Sequence, residues 1–144
     1  MLLPHASPIV RLTTRIAQPF LWLFGLYVLA HGHESPGGGF QAGTLLASSF
    51  ILEAVSFGAD APFYSRMRAA AFRIAAAGIL IYGGIGAITA FETWFLDYGA
   101  LPLAWLEAPA RRWWGIFGVE TGVCLVVMAA LVGIFDRLAE GAAR

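Results

Sequence analysis

The chain has 144 residues, of which 59% are hydrophobic and only 12% are charged, and its mean hydropathy is +0.73. This composition excludes an ordinary soluble domain and indicates a membrane protein. Nine arginines balance nine acidic residues and lysine is absent, which argues against the basic surface of a nucleic-acid-binding protein. We therefore expect a single membrane domain over residues 1–144, with no nucleic acid among its partners.

Four apolar segments follow one another along the chain, at residues 12–30, 39–57, 69–91 and 113–135. Each is close to the roughly 20 residues that a helix needs to cross the hydrocarbon core of a bilayer. They predict an all-α integral membrane protein with four transmembrane helices. The first segment begins with polar residues, and Pro19 suits the first turn of a helix, so its span could also begin near Gln18.

The sequence HGHESPGGGFQAG, residues 31–43, separates the first two apolar segments. Gly37, Gly38 and Gly39 can adopt backbone conformations closed to other residues, and Pro36 disfavours a helix through the residue before it. Hydrocarbon tolerates such backbone only where protein buries it or where it lines a polar cavity. The segment therefore predicts a sheltered, unwound turn before the second helix.

Arginines are distributed unevenly between the two ends of the predicted spans. One side carries Arg11, Arg15, Arg66, Arg68, Arg137 and Arg144, and the other carries only Arg111 and Arg112. Because cytoplasmic loops of membrane proteins carry an excess of positive charge, we expect both termini in the cytoplasm. The glycine turn and the connection over residues 92–112 are then expected on the outer side.

Small residues at helical spacing favour close packing of helices in lipid. They occur at Gly39 and Gly43, at Gly118 and Gly122, and at Gly83, Ala87 and Ala90. The last set predicts a smooth stripe on the third helix. Four short helices look insufficient to enclose a transport path of their own, so we expect a subunit of a larger assembly.

Glu53 and Arg73 fall inside the predicted second and third spans, where a charge is costly and usually faces protein or water. Each lies four residues from the cytoplasmic end of its span, about 6 Å below the same boundary, so an ion pair is available to them. The pair could be a structural clip, with Arg73 extending to the interface. Alternatively, Glu53 could belong to a proton or cation pathway in which Arg73 tunes its proton affinity.

Glu120 lies seven residues into the predicted fourth span, with no cation at matching depth on its own helix. Thr121, Tyr82, Thr89, backbone freed by the glycine turn or a neighbouring subunit could hydrogen-bond its carboxyl group. We interpret Glu120 as a candidate proton or cation contact, because intramembrane carboxyl groups usually have functional roles. A satisfied structural carboxyl group is the alternative.

His31, His33 and Glu34 crowd together at the outer turn. The favoured interpretation is that they hydrogen-bond and position the turn. Two imidazoles beside a carboxylate could instead collect protons or sense pH. Their spacing lacks the closed ligand set of a specific transition-metal site, so we expect no metal and no other cofactor.

Three stretches carry a resemblance to a known family: HGHESPGGGFQAG, the following TLLASSFILEAVSFG, and WGIFGVETGVCLVV near the end of the chain. Together they resemble the MnhB domain, the B subunit of multisubunit Mrp/Mnh-type sodium/proton antiporters. The family's hallmark PGGGF segment maps onto Pro36, Gly37, Gly38, Gly39 and Phe40, and Gly43 lies one helical turn further on. The resemblance extends over essentially the whole chain.

The resemblance implies a non-enzymatic subunit of a bacterial inner-membrane complex that exchanges Na+ for H+. Its partners would be membrane lipids and other hydrophobic subunits, including large ones related to the proton-pumping subunits of respiratory complex I. The HGH prefix and Gln41 look closer to versions of the domain in membrane-bound hydrogenases and related redox-driven complexes, which is one alternative. A purely structural, lipid-sealing scaffold is another.

Overall fold

The computed structural model describes residues 7–34 and 37–141, and all regular structure within them is helical. Its four α-helices are α1 (Pro8–Ala30), α2 (Gly38–Phe57), α3 (Pro62–Glu92) and α4 (Ala108–Gly141), and two short 3₁₀ helices cover Gly32–Glu34 and Tyr98–Ala100. The all-α prediction is confirmed. Each predicted apolar segment lies within one α-helix, and α3 and α4 extend several residues beyond their segments.

Three of the helices, α2, α3 and α4, are long and apolar enough to cross a membrane. Helix α1 has 23 residues, which is a sufficient length, but it is not among those three. Arg15 and Gln18 lie in its first half and make that half more polar than the rest. The crossing of the membrane by α1 therefore stays a prediction.

The helices pack in the spatial order α1, α2, α4, α3, so that α2 and α4 form the centre. Within the described residues no Cα atom of α1 lies within 8 Å of a Cα atom of α3. Close backbone approach explains the central contact, because a side chain at Gly43 would lie 2.7 Å from the carbonyl oxygen of Cys124 on α4. The contacts Gly39 to Glu120 and Gly43 to Cys124 progress in the same direction, so α2 and α4 run parallel.

The contact between α3 and α4 uses the predicted pair Gly118 and Gly122 on α4, together with Gly78 on α3. A side chain at Gly78 would lie 2.6 Å from the carbonyl oxygen of Gly122, which brings the two backbones together. A side chain at Gly83 would meet nothing within 4 Å, and Ala87 and Ala90 are exposed. These three residues therefore leave an exposed stripe on α3, and a role for it in helix packing stays a prediction.

Polar contacts join the helices at the end that the arginine distribution predicts to be cytoplasmic. The hydroxyl groups of Thr14 on α1 and Ser56 on α2 are 2.6 Å apart and buried. On the other side of the bundle, the Tyr64 hydroxyl and the Arg68 guanidinium of α3 both donate to Asp136 Oδ1 of α4, each at 3.1 Å. These contacts hold each outer helix to a central one.

Candidate functional site

The glycine turn ends in a left-handed residue that starts α2. Gly37 has φ +100° and precedes the first residue of the helix, a conformation that other residues adopt only at a cost. Gly38 and Gly39 are buried, whereas the Phe40 side chain is 60% exposed and points away from the bundle. Pro36, the first residue of the family motif, lies outside the described residues. The predicted special backbone is therefore present at Gly37.

The carboxyl group of Glu120 lies directly against this turn. A side chain at Gly38 would place its first carbon 2.9 Å from both carboxyl oxygens of Glu120, and one at Gly32 would overlap the carboxyl group itself. A side chain at Gly39 would overlap the backbone of Glu120. Glycine at these three positions thus leaves the space that the Glu120 side chain fills.

The site lies well below the start of α4. Glu120 is the thirteenth residue of a helix that begins at Ala108, about 18 Å along its axis, whereas α2 begins at the level of Glu120. The glycine turn is therefore recessed relative to the start of α4, and the connection between α3 and α4 packs on α4 above this level. In this connection Tyr98 packs on Gly115, where an added side chain would lie 2.8 Å from its ring.

Two polar features of the outer turn lie near the carboxyl group of Glu120. The first is the start of α2, where helix N–H groups create positive potential, and the second is His33, which is near enough to interact with the carboxylate electrostatically. Glu120 Oε2 is buried and has no hydrogen-bond partner among the described residues. Burial raises the pKa of Tyr98, which lies in the connection between α3 and α4, and nearby Tyr82 and Glu120 raise it further.

Of the hydrogen-bond partners predicted for Glu120, the glycine turn lies against its carboxyl group, but Oε2 accepts no hydrogen bond from it or from the other described residues. The Thr121 hydroxyl donates to the carbonyl of Phe117 at 2.7 Å. Thr89 donates to the carbonyl of Gly86 and accepts from the backbone N–H of Leu96, so its hydroxyl stabilises the connection after α3. Both threonines are therefore occupied elsewhere.

The three residues of the outer polar cluster do not converge on one point. His31 Nδ1 lies 3.0 Å from the carbonyl oxygen of Tyr27, and its ring stacks on the Tyr27 ring. His33 Nε2 accepts a hydrogen bond of 3.3 Å from the Trp113 indole and lies 3.7 Å from a Glu34 carboxylate oxygen. His33 also lines an outer groove of about 470 Å³ beside the start of α4.

The predicted ion pair between Glu53 and Arg73 does not form. The Glu53 side chain, 4% exposed, accepts hydrogen bonds from the backbone N–H groups of Tyr64 at 2.6 Å and Phe63 at 3.4 Å. These are first-turn N–H groups of α3, which have no partner inside the helix. Arg73 is exposed on α3, so Glu53 stabilises a helix start instead of pairing with it.

Sequence reasoning did not identify Gly32, Tyr98 and Trp113 as parts of the site. Gly32 stands between two histidines, and nothing in its sequence context indicates that a carboxyl group from a distant helix will occupy its space. Tyr98 and Trp113 are aromatic residues of the kind that is common at membrane interfaces, so their identity alone does not indicate a place beside Glu120 or His33. A contact between a glycine and an acidic side chain on another helix can be predicted only when the depth of both residues in the membrane is known.

The arrangement can hold one proton or one small cation at a buried carboxyl group. Glu120 presents an oxygen without a partner among the described residues, and His33, which interacts with it electrostatically, lines the outer groove. Imidazole is the side chain that most readily exchanges protons near neutral pH. The site thus combines the carboxyl group of Glu120 with the imidazole of His33, which lines a groove open to the outer surface.

The sequence pattern of the family described as "domain related to MnhB subunit of Na+/H+ antiporter" matches residues 9–133. The chain belongs to the MnhB family. The resemblance carried by the PGGGF segment is therefore confirmed. The description of the family names a subunit of an Na+/H+ antiporter, and three helices of this chain are long and apolar enough to cross a membrane.

Individual relatives match over shorter stretches. A Staphylococcus haemolyticus protein with the provisional name antiporter subunit mnhB2 is 43% identical over 49 residues, which are 34% of this chain and 35% of that protein. Its Staphylococcus aureus (strain Newman) counterpart is 38% identical over 52 residues, 36% of this chain and 37% of that protein. The uncharacterized protein MJ1307 of Methanocaldococcus jannaschii is 34% identical over 58 residues, 40% of this chain and 22% of that protein. The matches thus span well under half of each relative.

Proposed function

We propose that this MnhB-family protein is a non-enzymatic membrane subunit of a multisubunit Na+/H+ antiporter complex. It would span the bacterial cytoplasmic membrane four times, with both termini in the cytoplasm. Its partners would be other hydrophobic subunits, including large complex-I-like ones. The family match over residues 9–133 supports the assignment, and so does a helix row that encloses no path of its own.

The observation that carries the mechanistic part of the proposal is the contact between Glu120 and the glycine turn. A carboxyl group in a membrane interior is retained where it has a function or a partner. Here it lies against a helix start that favours negative charge, and Oε2 is left without a described partner. We propose that Glu120 exchanges a proton or binds the transported cation, with His33 as its polar connection to the outer groove.

Glu53 receives a different role. Its two hydrogen bonds to the first turn of α3 favour the structural alternative, in which this carboxyl group joins α2 to α3 and has no contact with the transported ion. Arg73 points to the exterior of the bundle, where it would meet lipid headgroups or a neighbouring subunit. The pathway role of Glu53 and Arg73 is therefore not part of this proposal.

The assignment to a complex is tested by affinity purification of the tagged chain from native membranes in a mild detergent. We expect several small hydrophobic subunits and at least one large antiporter-like subunit to copurify in constant ratio. Copurification of an iron–sulfur protein would instead indicate a redox-driven complex. A chain that purifies alone, and whose deletion leaves Na+/H+ exchange by membrane vesicles unchanged, would refute the proposal.

A further inference from the structure

A groove of about 400 Å³ opens between α1 and the start of α3, at the opposite end of the bundle from Glu120. Its walls are Gln18, Pro19, Trp22, Leu23 and Phe63. The groove exists because α1 and α3 stand apart, with no pair of their Cα atoms within 8 Å in the described ranges. It opens to the outside of the helix row and its lining is mostly apolar.

Four residues of α1 on one helical face give this groove a gradient of polarity. Arg11, Arg15, Gln18 and Trp22 are spaced by four, three and four residues, so they lie in one stripe along the helix. From the N-terminal end of the helix, the stripe presents two guanidinium groups, then the amide of Gln18, and then the indole of Trp22. The stripe passes from charged to apolar over about 16 Å of helix, which is close to half of the roughly 30 Å hydrocarbon core.

The two arginines at the polar end have no acidic partner within the residues that the structure describes. Each guanidinium carbon lies 5.5 Å from the centre of the Phe57 ring, so both cations contact the same ring. A guanidinium stacked on an aromatic ring keeps its N–H donors free at the ring's edge. A guanidinium group with free N–H donors can bind a phosphate group through two hydrogen bonds.

The next group along the stripe is a donor without an acceptor. Gln18 Nε2 is buried at the groove and has no hydrogen-bond partner among the described residues. A buried N–H group without an acceptor is costly. Beyond Gln18, Leu23 is 68% exposed and Phe63 53% exposed, while Trp22 is held edge-on against Phe50 with ring centres 5.1 Å apart.

We propose that this groove binds one anionic phospholipid. Its phosphate lies between Arg11 and Arg15, an ester carbonyl of its glycerol backbone accepts from Gln18 Nε2, and one acyl chain lies along Trp22, Leu23 and Phe63. The order of cation, amide donor and apolar surface reproduces the order of phosphate, ester and chain in a single lipid molecule. The site goes beyond the proposed function and does not depend on it.

The site explains why the first half of α1 is more polar than a membrane span requires. Thr14 contacts Ser56 of α2, and Arg11, Arg15 and Gln18 lie in the stripe that leads to the groove. A bound lipid would fill the space between α1 and α3 and fix the outer position of α1. Basic pockets between membrane helices on the cytoplasmic side are a known setting for anionic headgroups.

The test uses the full chain, purified in mild detergent with the subunits that accompany it. The protein is exchanged into phosphatidylglycerol or phosphatidylcholine of identical acyl chains, and retained lipid is counted by native mass spectrometry. We expect one tightly retained phosphatidylglycerol and no retained phosphatidylcholine. The double variant R11Q/R15Q should retain phosphatidylglycerol roughly 30-fold more weakly, since each cation near an anionic lipid is worth about a factor of five.

Three matched variants separate the site from general charge and from misfolding. R11K/R15K keeps the charge and should preserve the preference for phosphatidylglycerol, and R66Q/R137Q removes two exposed arginines elsewhere and should change nothing. L23W fills the apolar end of the groove and should release the lipid although both arginines remain. Equal retention of phosphatidylglycerol by the unmodified protein and R11Q/R15Q would overturn the proposal, as would a photo-crosslinker at position 23 that captures another polypeptide in place of lipid.

Discussion

Glu120 and the glycines around it pack so closely that a side chain at Gly32 or Gly38 would displace the carboxyl group of Glu120. Added carbon atoms at Gly32 and Gly38 would occupy the space of the Glu120 carboxyl group. The family's triple-glycine segment is therefore explained by a side chain that lies more than 80 positions away in the sequence. Only Gly37 requires glycine for its backbone conformation, because of its φ of +100°.

Replacement of Gly32 by alanine should destabilise the protein. The added methyl group overlaps Glu120, and overpacking of this kind costs about 1–3 kcal/mol, so the apparent Tm in detergent should fall by roughly 5 °C or more. The double variant G32A/E120A should recover most of the loss, because the smaller side chain removes the overlap. Strictly additive effects of the two substitutions would contradict the contact.

The matched control for this experiment is Gly83→Ala. Position 83 lies in a helix, and a side chain there meets nothing within 4 Å, so alanine should be neutral or stabilising by up to about 1 kcal/mol. A loss of stability as large as that of G32A would show that α3 and α4 pack differently from this structure.

At the scale of the helices, apolar length was sufficient to predict where the elements lie. Segments of about 20 apolar residues located all four α-helices, because the hydrocarbon thickness determines that length. Their neighbours could not be predicted in the same way. The pairing of Glu53 with Arg73 assumed that equal depth means contact, whereas the orientation of each side chain around its helix axis decides it, and Arg73 lies on the exposed face of α3.

Glu53 is expected to act as a cap for α3. The variant E53A removes the acceptor of the Tyr64 and Phe63 N–H groups and leaves the buried Tyr64 N–H unsatisfied, which should cost about 1–3 kcal/mol. Thermal unfolding in detergent measures this loss, and the exposed Asp60→Asn in the neighbouring turn is its control. A stable E53A protein that assembles normally but fails in Na+/H+ exchange would contradict this purely structural role and would indicate that Glu53 belongs to the ion pathway.

At the scale of the whole molecule, the recessed turn results from the parallel arrangement of α2 and α4 with an offset of about 18 Å between their starts. The sequence predicted a sheltered turn and a carboxyl group in the fourth span, but as separate features. Their meeting depends on this offset, which neither apolar length nor arginine distribution reveals. The same arrangement leaves the gap between α1 and α3 that forms the lipid groove.

The membrane topology makes a direct prediction about accessibility. Cys124 is buried and is the only cysteine, so a Cys124→Ala background accepts single cysteines at the exposed positions Ile9, Glu34 and Glu140. A membrane-impermeant maleimide added outside intact cells should label position 34 alone, and all three after permeabilisation. Labelling of both positions 9 and 34 from outside would show that α1 does not cross the membrane.

The central claim is that the carboxyl group of Glu120 handles the transported proton or cation, and Na+/H+ exchange by vesicles containing the assembled complex tests it most directly. The variant E120Q preserves the shape of the side chain but removes its charge. With assembly verified by copurification, we predict that exchange falls roughly a hundredfold, the lower end of the effect of removing a proton-transferring side chain. The exposed Glu140→Gln on the same helix should retain full exchange, and normal exchange by a fully assembled E120Q complex would contradict the account.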